Sequence, residues 1–392
     1  MRGKRRFGNV VGALGREREA RERAEDVHVA VGREGRHYHG TRMNIVALAG
    51  DGIGPEITAV ALEVLARLER RFSLGIRVDR HDVGHAALKK TGDTFPEAVF
   101  AACRAADAVI IGPVSHLDYP PGAKNPSGTL RIALDLYANV RPARSYDGLP
   151  HWGRTTMDLV IVRENTEGFY ADRNMHQGPG EFMPTPDLAL SIRKISAAGC
   201  RRIALAAFRL ARTRKRKVCA VNKVNVLKTT EALFLREVRA VAKEFSDVAY
   251  EEQLVDAMAA LLVREAARFD VLVTTNMYGD ILSDEAAELS GSLGLAGSIN
   301  AGDRHCMAQA QHGSAPDIAG KDRANPSALL LSVAMLLGWL GERHGRRAYL
   351  EAQAALEGAI AALIRAPATR TADLGGPLGT RAFGNAVMEE LG

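Results

Sequence analysis

The stretch MNIVALAGDGIGPEITAVALEVLARLERR, residues 43–71, joins the pattern of a β-strand to that of a helix through a glycine-rich turn. Its first residues are mostly apolar, as in a buried strand, and the spacing of the later apolar residues predicts a helix over about residues 55–71. The glycines permit a tight turn, and they also permit a phosphate to approach the amides at a helix N terminus. Because GDGIGPE lacks the GxGxxG spacing, we infer no dinucleotide site from it, and a tight strand-to-helix turn explains it equally well.

The rest of the chain repeats this alternation of short apolar runs and longer helical patterns. Strands are predicted near residues 76–84, 108–114, 158–164, 217–224 and 269–277, with a further strand near residue 201. Helices are predicted near residues 95–105, 227–245, 254–267 and 327–344. Alternation of this kind is typical of parallel α/β layering, so we predict an α/β fold.

The composition is that of an ordinary globular protein, and its basic charge lies mainly at the N terminus. The 392 residues, 46% hydrophobic and 25% charged, are enough for two domains. Of the net charge of +6, residues 1–42 contribute +5, from eleven basic and six acidic residues. We interpret residues 1–42 as a disordered leader or a mis-called translation start, with Met43 as the natural beginning. Five acidic residues between positions 17 and 26 argue against an organellar transit peptide.

The sequence also argues against a membrane or secreted protein. No run approaches the ~20 apolar residues that span a bilayer. The four cysteines, Cys103, Cys200, Cys219 and Cys306, have no metal-binding or redox spacing, so we expect buried free thiols. We therefore expect a cytoplasmic protein with no nucleic-acid partner and no membrane partner.

Three arginines lie near predicted strand or loop ends: Arg131, Arg141 and Arg163. The planar guanidinium matches the two oxygens of a carboxylate. Each arginine alone is explained by a surface salt bridge, but the set predicts a substrate with more than one carboxylate.

The segment NMYGDILSDEAAELSGSLG, residues 276–294, places Asp280 and Asp284 four residues apart on one face of a helix. Two adjacent carboxylates repel each other unless a cation lies between them. Asp256 is a third candidate ligand, and oxygen ligands without His or Cys favour Mg²⁺ or Mn²⁺. An acidic first turn that complements the helix dipole is an equal interpretation of the pair.

Lys223 and Asn225 follow an apolar strand, and Tyr170 ends the segment RENTEGFY. A lysine beside a divalent cation has a depressed pKa and can act as a general base. Tyr170 is a candidate proton donor. In isolation each residue is also explained as a core-edge side chain whose polar end reaches water.

The segment HGSAPDIAGKDRANP, residues 312–326, is a loop of small residues that could admit a cofactor. Asp317 in this loop can accept hydrogen bonds from a ribose hydroxyl and would repel a 2′-phosphate. The loop therefore favours NAD over NADP.

Taken together and in this order, these motifs resemble the isocitrate and isopropylmalate dehydrogenases, a family of β-decarboxylating dehydrogenases. The resemblance runs from Met43 to ADLGGPLGT, residues 372–380. It implies a two-domain fold that is not a standard Rossmann fold. Residues 43–136 and 291–392 would form a large cofactor-binding domain, residues 137–290 a middle domain that makes the dimer interface, with the active site between them.

The resemblance also implies a role for each candidate residue, in an NAD-dependent oxidation of a 2-hydroxy acid that releases its β-carboxylate as carbon dioxide. The substrate-binding residues would be Asn125, Ser127, Arg131, Arg141, Arg163 and Asn225. Asp280 and Asp284, with Asp256 of the partner subunit, would bind Mg²⁺ or Mn²⁺. Lys223 of the partner subunit would accept the hydroxyl proton, and Tyr170 would protonate the enol carbon. The NAD-binding residues would be His312, Gly313, Ser314, Ala315, Asp317, Ile318 and Asn325.

The substrate itself is predicted from residues 124–130, which precede the first arginine. This segment lacks the leucine pair that buries an isopropyl group, and its polar Asn125 and Ser127 favour an isocitrate-like hydroxy tricarboxylate over a dicarboxylate. The alternative is a 3-isopropylmalate, homoisocitrate or other alkyl malate dehydrogenase. The segments 112–128 and 174–186 depart from the family pattern.

Two further classes of function compete with a catalytic homodimer. A regulatory subunit without turnover would be expected to lack catalytic residues, whereas this chain has all the candidates named above. A nucleic-acid-binding protein would depend on the basic leader, so deletion of residues 1–42 separates that class from an enzyme.

Overall fold

The stretch that opens the sequence analysis forms the first strand and helix. In a computed structural model that describes residues 42–170, 175 and 178–392, β1 spans Met43–Leu48 and α1 spans Gly54–Phe72. Between them, Gly52 has a φ of 57°. A Cβ atom there would lie 2.0 Å from the carbonyl oxygen of Ser314. The turn therefore requires glycine because a second loop packs directly on its backbone.

Eleven further strands follow in the described residues, and most of the inner ones are short apolar runs. They are β2 Ile76–His81, β3 Ala108–Ile111, β4 Ala138–Arg144, β5 Asp158–Glu164, β6 Glu181–Thr185, β7 Leu188–Ser191, β8 Lys217–Asn222, β9 Ala249–Leu254, β10 Val271–Thr274, β11 Ile299–Ala301 and β12 Cys306–Gln309. Ten of the strands in the described residues form one sheet, in the order β2-β1-β3-β12-β11-β4-β5-β10-β8-β9.

The sheet has two parallel parts joined by antiparallel strands. Strands β2, β1, β3 and β12 are parallel, and so are β5, β10, β8 and β9. Between these parts, β11 is antiparallel to β12 and to β4, and β4 is antiparallel to β5. Strand β4 thus lies at the junction between the two parts.

Helices cover both faces of each part, which is why inner parallel strands such as β1, β3 and β10 are almost continuously apolar, whereas the edge strands β2 and β9 contain charged residues. The helices are α2 Gly84–Thr91, α3 Glu97–Ala105, α4 Pro126–Ala133, α5 Ala197–Arg212, α6 Thr230–Glu244, α7 Val255–Glu265, α8 Asn276–Ser290, α9 Ser327–His344, α10 Arg347–Arg365 and α11 Thr380–Glu390. One core lies beneath α1, α9, α10 and α11, and another beneath α3 and α4. Around the other part, α5 and α6 cover one face and α7 and α8 the opposite face. This layering confirms the α/β prediction.

The strand predicted near residue 201 is wrong, because that segment lies within α5. The Ser196 side chain accepts a hydrogen bond from the Gly199 amide at 3.0 Å and caps the helix. Cys200, Ile203 and Phe208 are buried on one face at helical spacing. The short apolar run within this longer pattern was misread as a strand.

Strands β6 and β7 form a separate hairpin with exposed apolar side chains. The two strands pair antiparallel, and every residue in both is exposed. Met183 is 62% exposed and Leu188 is 47% exposed. Such a surface is typical of a contact with another chain.

The remaining fold predictions have mixed outcomes. All four cysteines are buried free thiols, as predicted, and burial raises the pKa of Cys103 to about 12. No helix in the described residues is long and apolar enough to cross a bilayer. Residues 42–392 form one compact unit. The domain boundaries near residues 137 and 291 stay a prediction, and the leader lies outside the described residues except for Arg42.

Candidate active site

Arg141 and Arg163 lie on one face of neighbouring strands. In the β4–β5 pair, Asn139 is opposite Arg163 and Arg141 is opposite Ile161. Opposite residues share a face, and so do residues two apart along a strand, so the two arginines point the same way. Both are buried, with exposures of 5% and 3%. Helix α8 packs over this face.

Helix α8 brings two carboxylates onto these arginines. Arg141 Nη1 donates to Asp280 Oδ1 at 3.0 Å and lies 3.4 Å from Asp284 Oδ1. Arg163 also forms an ion pair with Asp280. The helix begins at Asn276 and has no acidic residue in its first turn. An interaction with the helix dipole therefore does not explain Asp280 and Asp284. Their position on one helix face, against the arginines, does.

The arginines and the acids change one another's ionisation. Burial opposes ionisation of Asp280, but the charges of Arg163 and Arg141 more than offset this effect and hold its pKa below the ordinary value. Burial and the neighbouring Arg141 lower the pKa of Arg163 to about 10. At neutral pH the cluster therefore contains a charged Arg163 and an ionised Asp280.

Tyr170 completes this side of the site. Its hydroxyl donates to Asp280 Oδ2 at 3.2 Å, and the Arg163 guanidinium lies 5.8 Å from the centre of its ring. Asn276 holds the Arg163 guanidinium in position, because the Asn276 Oδ1 accepts a hydrogen bond from Arg163 Nε at 2.9 Å. One cluster thus brings together four residues predicted separately from the sequence: Arg141, Arg163, Tyr170 and Asp280.

Arg131 lies on α4 and contacts a residue that the sequence analysis missed. Its Nη2 donates to Gln309 Oε1 at 3.0 Å, and Ser127 Oγ donates to the same oxygen at 2.9 Å. Gln309 is 8% exposed and ends β12. Asn125 caps α4, since its Oδ1 accepts from the Gly128 amide at 3.1 Å. A polar residue at the end of an apolar strand, just before the 312–326 loop, was the available signal for Gln309.

Lys223 and Asp256 form a different cluster of the same chain. Lys223 Nζ donates to Asp256 Oδ1 at 2.7 Å. The Lys223 amide donates to the buried Glu231 carboxylate at 2.9 Å, which fixes the turn after β8. Asn225 in this turn is exposed. Hydrogen bonding to Lys223 holds the pKa of Asp256 below its ordinary value.

The acids of α8 fit a hard divalent cation in donor chemistry but are too few within one chain. Asp280 and Asp284 offer oxygen ligands on one helix face, and the Asp284 side chain is 55% exposed. Among the described residues, no group of three His, Cys, Asp or Glu side chains could hold a metal ion. A metal ion bound by Asp280 and Asp284 would therefore need a further ligand from outside this cluster.

The loop predicted to bind the cofactor packs on the first glycine-rich turn. The Ile53 amide donates to the Ser314 carbonyl oxygen at 2.8 Å, and Ser115 Oγ donates to Ser314 Oγ at 2.7 Å. Because the Ile53 amide is bonded to this loop, the turn holds the loop in position. The interpretation of GDGIGPE as a tight turn is sufficient to explain the segment. Asp51, which the sequence analysis did not single out, accepts from the His85 and Ser115 amides at 2.8 and 3.0 Å.

Within the loop, the candidate residues differ in exposure and partners. His312 Nε2 is buried and has no partner among the described residues, and burial lowers the pKa of His312. Ala315 has a φ of 37°. Asn325 Nδ2 donates to Asp373 Oδ2 at 3.0 Å, while Gly313 and Asp317 are exposed and Ile318 is partly buried. The exposed Asp317 carboxylate is thus accessible to a ligand.

Comparison with known proteins gives consistent results. The model of the family described as isocitrate/isopropylmalate dehydrogenase matches residues 44–387. The 3-isopropylmalate dehydrogenase of Saccharolobus solfataricus is 40% identical, over 85% of this chain and 94% of that protein. The isocitrate/homoisocitrate dehydrogenase of Thermus thermophilus is 42% identical, over 88% and 98%. A crystal structure of isocitrate dehydrogenase from Methylococcus capsulatus has a TM-score of 0.79 and 38% identity, over 89% of this chain and 99% of that one.

Proposed function

Because the chain belongs to the isocitrate/isopropylmalate dehydrogenase family and is a decarboxylating dehydrogenase, we propose that its substrate is a 3-alkyl malate, with 3-isopropylmalate as the first candidate. Relatives from Saccharolobus solfataricus, Sulfurisphaera tokodaii and Archaeoglobus fulgidus, all named 3-isopropylmalate dehydrogenase, support this choice over the isocitrate-like substrate that the sequence favoured.

One observation carries the choice of substrate. The isocitrate-like prediction required Asn125 and Ser127 to bind an additional carboxylate. Asn125 caps α4, and Ser127 donates to Gln309. Binding a substrate carboxylate through Ser127 would break its hydrogen bond to Gln309, which removes much of the gain. Asn125 uses its Oδ1 for the cap, so only its Nδ2 would be left to donate to a carboxylate. Isocitrate or homoisocitrate is the second candidate, supported by the name of the Thermus relative.

The arginines would bind the two carboxylates common to all these substrates. Arg141 and Arg163 are side by side and buried, so they can hold a carboxylate with little loss of side-chain entropy. Arg131 would bind from the opposite side, where Gln309 orients its guanidinium. This arrangement would bring the hydroxyl-bearing carbon near Asp280 and Tyr170.

Asp280 and Asp284 would bind Mg²⁺ or Mn²⁺ together with Asp256 of the partner subunit. The cation would supply Lewis acidity at the substrate hydroxyl and at the oxygen that becomes the enolate. NAD would accept the hydride from the carbinol carbon. Removing the metal with EDTA is expected to abolish turnover.

Two side chains would transfer the protons of the reaction. Lys223 of the partner subunit would accept the hydroxyl proton as the alcohol is oxidised to a ketone. The β-carboxylate then leaves as carbon dioxide, and its bonding electrons form the enolate. Tyr170 would donate its proton to the enolate carbon.

The sharing of the site between two copies is supported by exposed apolar residues near both clusters. Val226, three residues after Lys223, is 63% exposed, and Ile281, beside Asp280, is 60% exposed. The apolar hairpin β6–β7 is exposed as well. A second copy of the chain would cover these surfaces and bring Lys223 and Asp256 to the cluster on α8.

Asp317 supports a preference for NAD. Its carboxylate is exposed on the loop, where it can accept hydrogen bonds from the ribose hydroxyls. A 2′-phosphate at the same place would be repelled by the like charge.

The test is NADH formation in Mn²⁺ with 3-isopropylmalate, isocitrate and homoisocitrate. We expect kcat/KM to be at least about tenfold higher for 3-isopropylmalate. Ser127→Ala is the matched variant. It should leave the order of kcat/KM among the three substrates unchanged, because the Ser127 hydroxyl binds Gln309 rather than substrate. A higher kcat/KM for isocitrate that Ser127→Ala abolishes would overturn the proposal.

A further inference from the structure

A cavity lies on the face of β4 opposite Arg141. Because side chains alternate along a strand, Val140 and Arg144 point away from the candidate active site. They line a cavity of about 270 Å³, called here the back pocket and lined by Val140, Arg144, Tyr146, Leu331, Met335 and Glu357 among others. One wall comes from β4, β5, α5 and α8, and the other from residues 292–297 with α9 and α10, so the two walls lie on either side of the predicted domain boundaries.

The interior of the back pocket is mainly apolar. Val140, Val160 and Leu210 line one wall, and Leu331 and Met335 line the other. The volume is near the lower end of the ~300–1,000 Å³ typical of ligand pockets. The interior therefore suits one small apolar group.

Two hydrogen-bond donors without acceptors lie at the pocket. The exposed Arg144 guanidinium contacts the Tyr146 ring at 5.7 Å, and it forms no ion pair within the described residues. The Tyr146 hydroxyl likewise has no hydrogen-bond partner there. Burial raises the pKa of Tyr146 to about 12, so the hydroxyl is a donor at neutral pH. Both donors would be satisfied by a carboxylate.

One acidic residue that lines the pocket, Glu357, has no basic partner among the described residues. Asp158 pairs with Arg214 at 2.9 Å, so these two lining charges neutralise each other. Glu357 accepts from the Gln353 amide at 2.9 Å and forms no ion pair in the described part of the chain. Its charge also raises the pKa of Tyr146, so it lies near that hydroxyl. The lining thus leaves one positive and one negative charge without a partner.

We propose that the back pocket binds an apolar α-amino acid. The carboxylate would bind Arg144 and Tyr146, the ammonium group would bind Glu357, and the side chain would occupy the apolar interior. A simple carboxylate fits less well because Glu357 would repel it, and an amine fits less well because Arg144 would repel it.

Occupation of the back pocket is expected to inhibit the enzyme, an effect that rests on the proposed function. Ala287 and Ser290 of α8 line the pocket, and the same helix carries Asp280 and Asp284. A ligand that contacts both walls would stabilise their present spacing and would oppose any step of turnover that requires α8 to shift relative to α9 and α10.

Binding is tested first, by calorimetry on the full chain without substrate. L-leucine is the probe, with 4-methylpentanoate and 3-methylbutylamine as analogues that lack its ammonium group or its carboxylate. We expect saturable binding of L-leucine, at least tenfold tighter than binding of either analogue. Equal binding of an analogue, or no saturable binding of leucine, valine, methionine or phenylalanine, would overturn the proposal.

Variants locate the binding site. Arg144→Gln and Glu357→Gln are each expected to weaken L-leucine binding at least tenfold. Arg343→Gln is the matched control, because Arg343 is also an exposed arginine that lies over an aromatic ring, Trp339 at 5.3 Å, but does not line the pocket. Unchanged affinity in both pocket variants, with the thermal unfolding midpoint of each confirming a folded protein, would place binding elsewhere.

Inhibition is tested separately with the preferred hydroxy acid. L-leucine should lower the rate of wild type and have no effect on Arg144→Gln. Activation by L-leucine would contradict the expected coupling. If no hydroxy acid were oxidised, the proposed function would fail while the binding measurement would still decide the site.

Discussion

Arg141 shows how a buried charge is stabilised by neighbouring side chains of the same chain. Its side chain is almost fully buried, and an uncompensated charge there would be strongly destabilising. Asp280 and Ser283 accept hydrogen bonds from its Nη1 at 3.0 and 2.7 Å. The acids of α8 therefore stabilise the arginine.

Individual side chains were predictable as chemical types but not as contacts. The sequence identified Arg141 and Asp280 separately, since each belongs to a distinct motif. Their ion pair depends on α8 packing over β4, a contact between residues 139 positions apart. Gln309 escaped prediction because a lone glutamine carries no charge and fits many environments.

Replacement of Lys223 tests the proposed base. Lys223→Ala should lower kcat by about 10²- to 10⁴-fold, because the hydroxyl proton would have no acceptor. Lys228→Ala is the control, since Lys228 is an exposed lysine near the same turn. Steady-state NADH formation and far-UV circular dichroism would show whether activity is lost in a folded protein. A largely active Lys223→Ala enzyme would rule out the base assignment.

Replacement of Asp317 tests cofactor choice. Asp317→Lys should raise the KM for NAD by at least about tenfold, equivalent to about 1.4 kcal/mol, and should permit turnover with NADP. Glu390→Lys, with the same change of charge on the exposed end of α11, should leave both cofactors as in wild type. An unchanged preference in Asp317→Lys would refute the ribose contact.

Turns and caps, at the scale of elements, explain why several segments are placed as they are. The strand-to-helix pattern of residues 43–71 was predictable because its periodicity changes clearly at the glycines. Helix α5 was misread because RRIALAAF is short and apolar, and only its buried spacing over 200–208 shows the helix. Likewise, the sequence could not show that Asn125 is a cap, since an asparagine side chain suits both a helix cap and a substrate ligand.

The turn at Gly52 permits a prediction about the cofactor loop. Gly52→Ala should lower the free energy of unfolding by about 1–3 kcal/mol and raise the KM for NAD, because the added Cβ displaces Ser314. Gly92→Ala separates the causes, since Gly92 also has positive φ but has no atom within 4 Å of the added Cβ. It should lower stability by about 1 kcal/mol and leave the KM unchanged. An equal KM for NAD in both variants would show that the turn does not position the loop.

The cap of α4 permits a second prediction at this scale. Asn125→Ala should lower the free energy of unfolding by about 1 kcal/mol, and Asn125→Asp should retain most of it, because the aspartate also accepts the Gly128 amide. Urea unfolding measures both. If Asn125→Ala kept wild-type stability but raised the KM for the hydroxy acid tenfold, Asn125 would be a substrate ligand instead.

For the whole molecule, the separation of Lys223 and Asp256 from the cluster on α8 could not be predicted from residue types. Family resemblance implied a shared site, and the single chain places the residues in two clusters. Sequence patterns describe neighbours along one chain, so the surface that a second copy would cover could be predicted only through that resemblance.

Mixing two inactive variants tests the shared site. Lys223→Ala and Asp280→Asn homodimers should each be inactive. After subunit exchange, half of the dimers would be mixed, and each mixed dimer would have one intact site, so activity should recover to about a quarter of wild type. Recovery is measured by NADH formation against time, and unmixed samples at the same total concentration are the control. No recovery, despite mixed dimers seen by native mass spectrometry, would place each site within one chain.

The order of strands in the ten-stranded sheet has a consequence for synthesis on the ribosome. Strand β3 pairs with β12, with Val109 opposite Met307, and β4 pairs with β11. Both of these partners come late in the chain. Strands β5, β8, β9 and β10 all lie between residues 158 and 274. This later segment can assemble its own parallel ladder while β3 still lacks β12 and β4 still lacks β11. The nascent polypeptide should therefore expose β3 and β4 longest, and chaperones are expected to engage them until the last third of the chain has emerged.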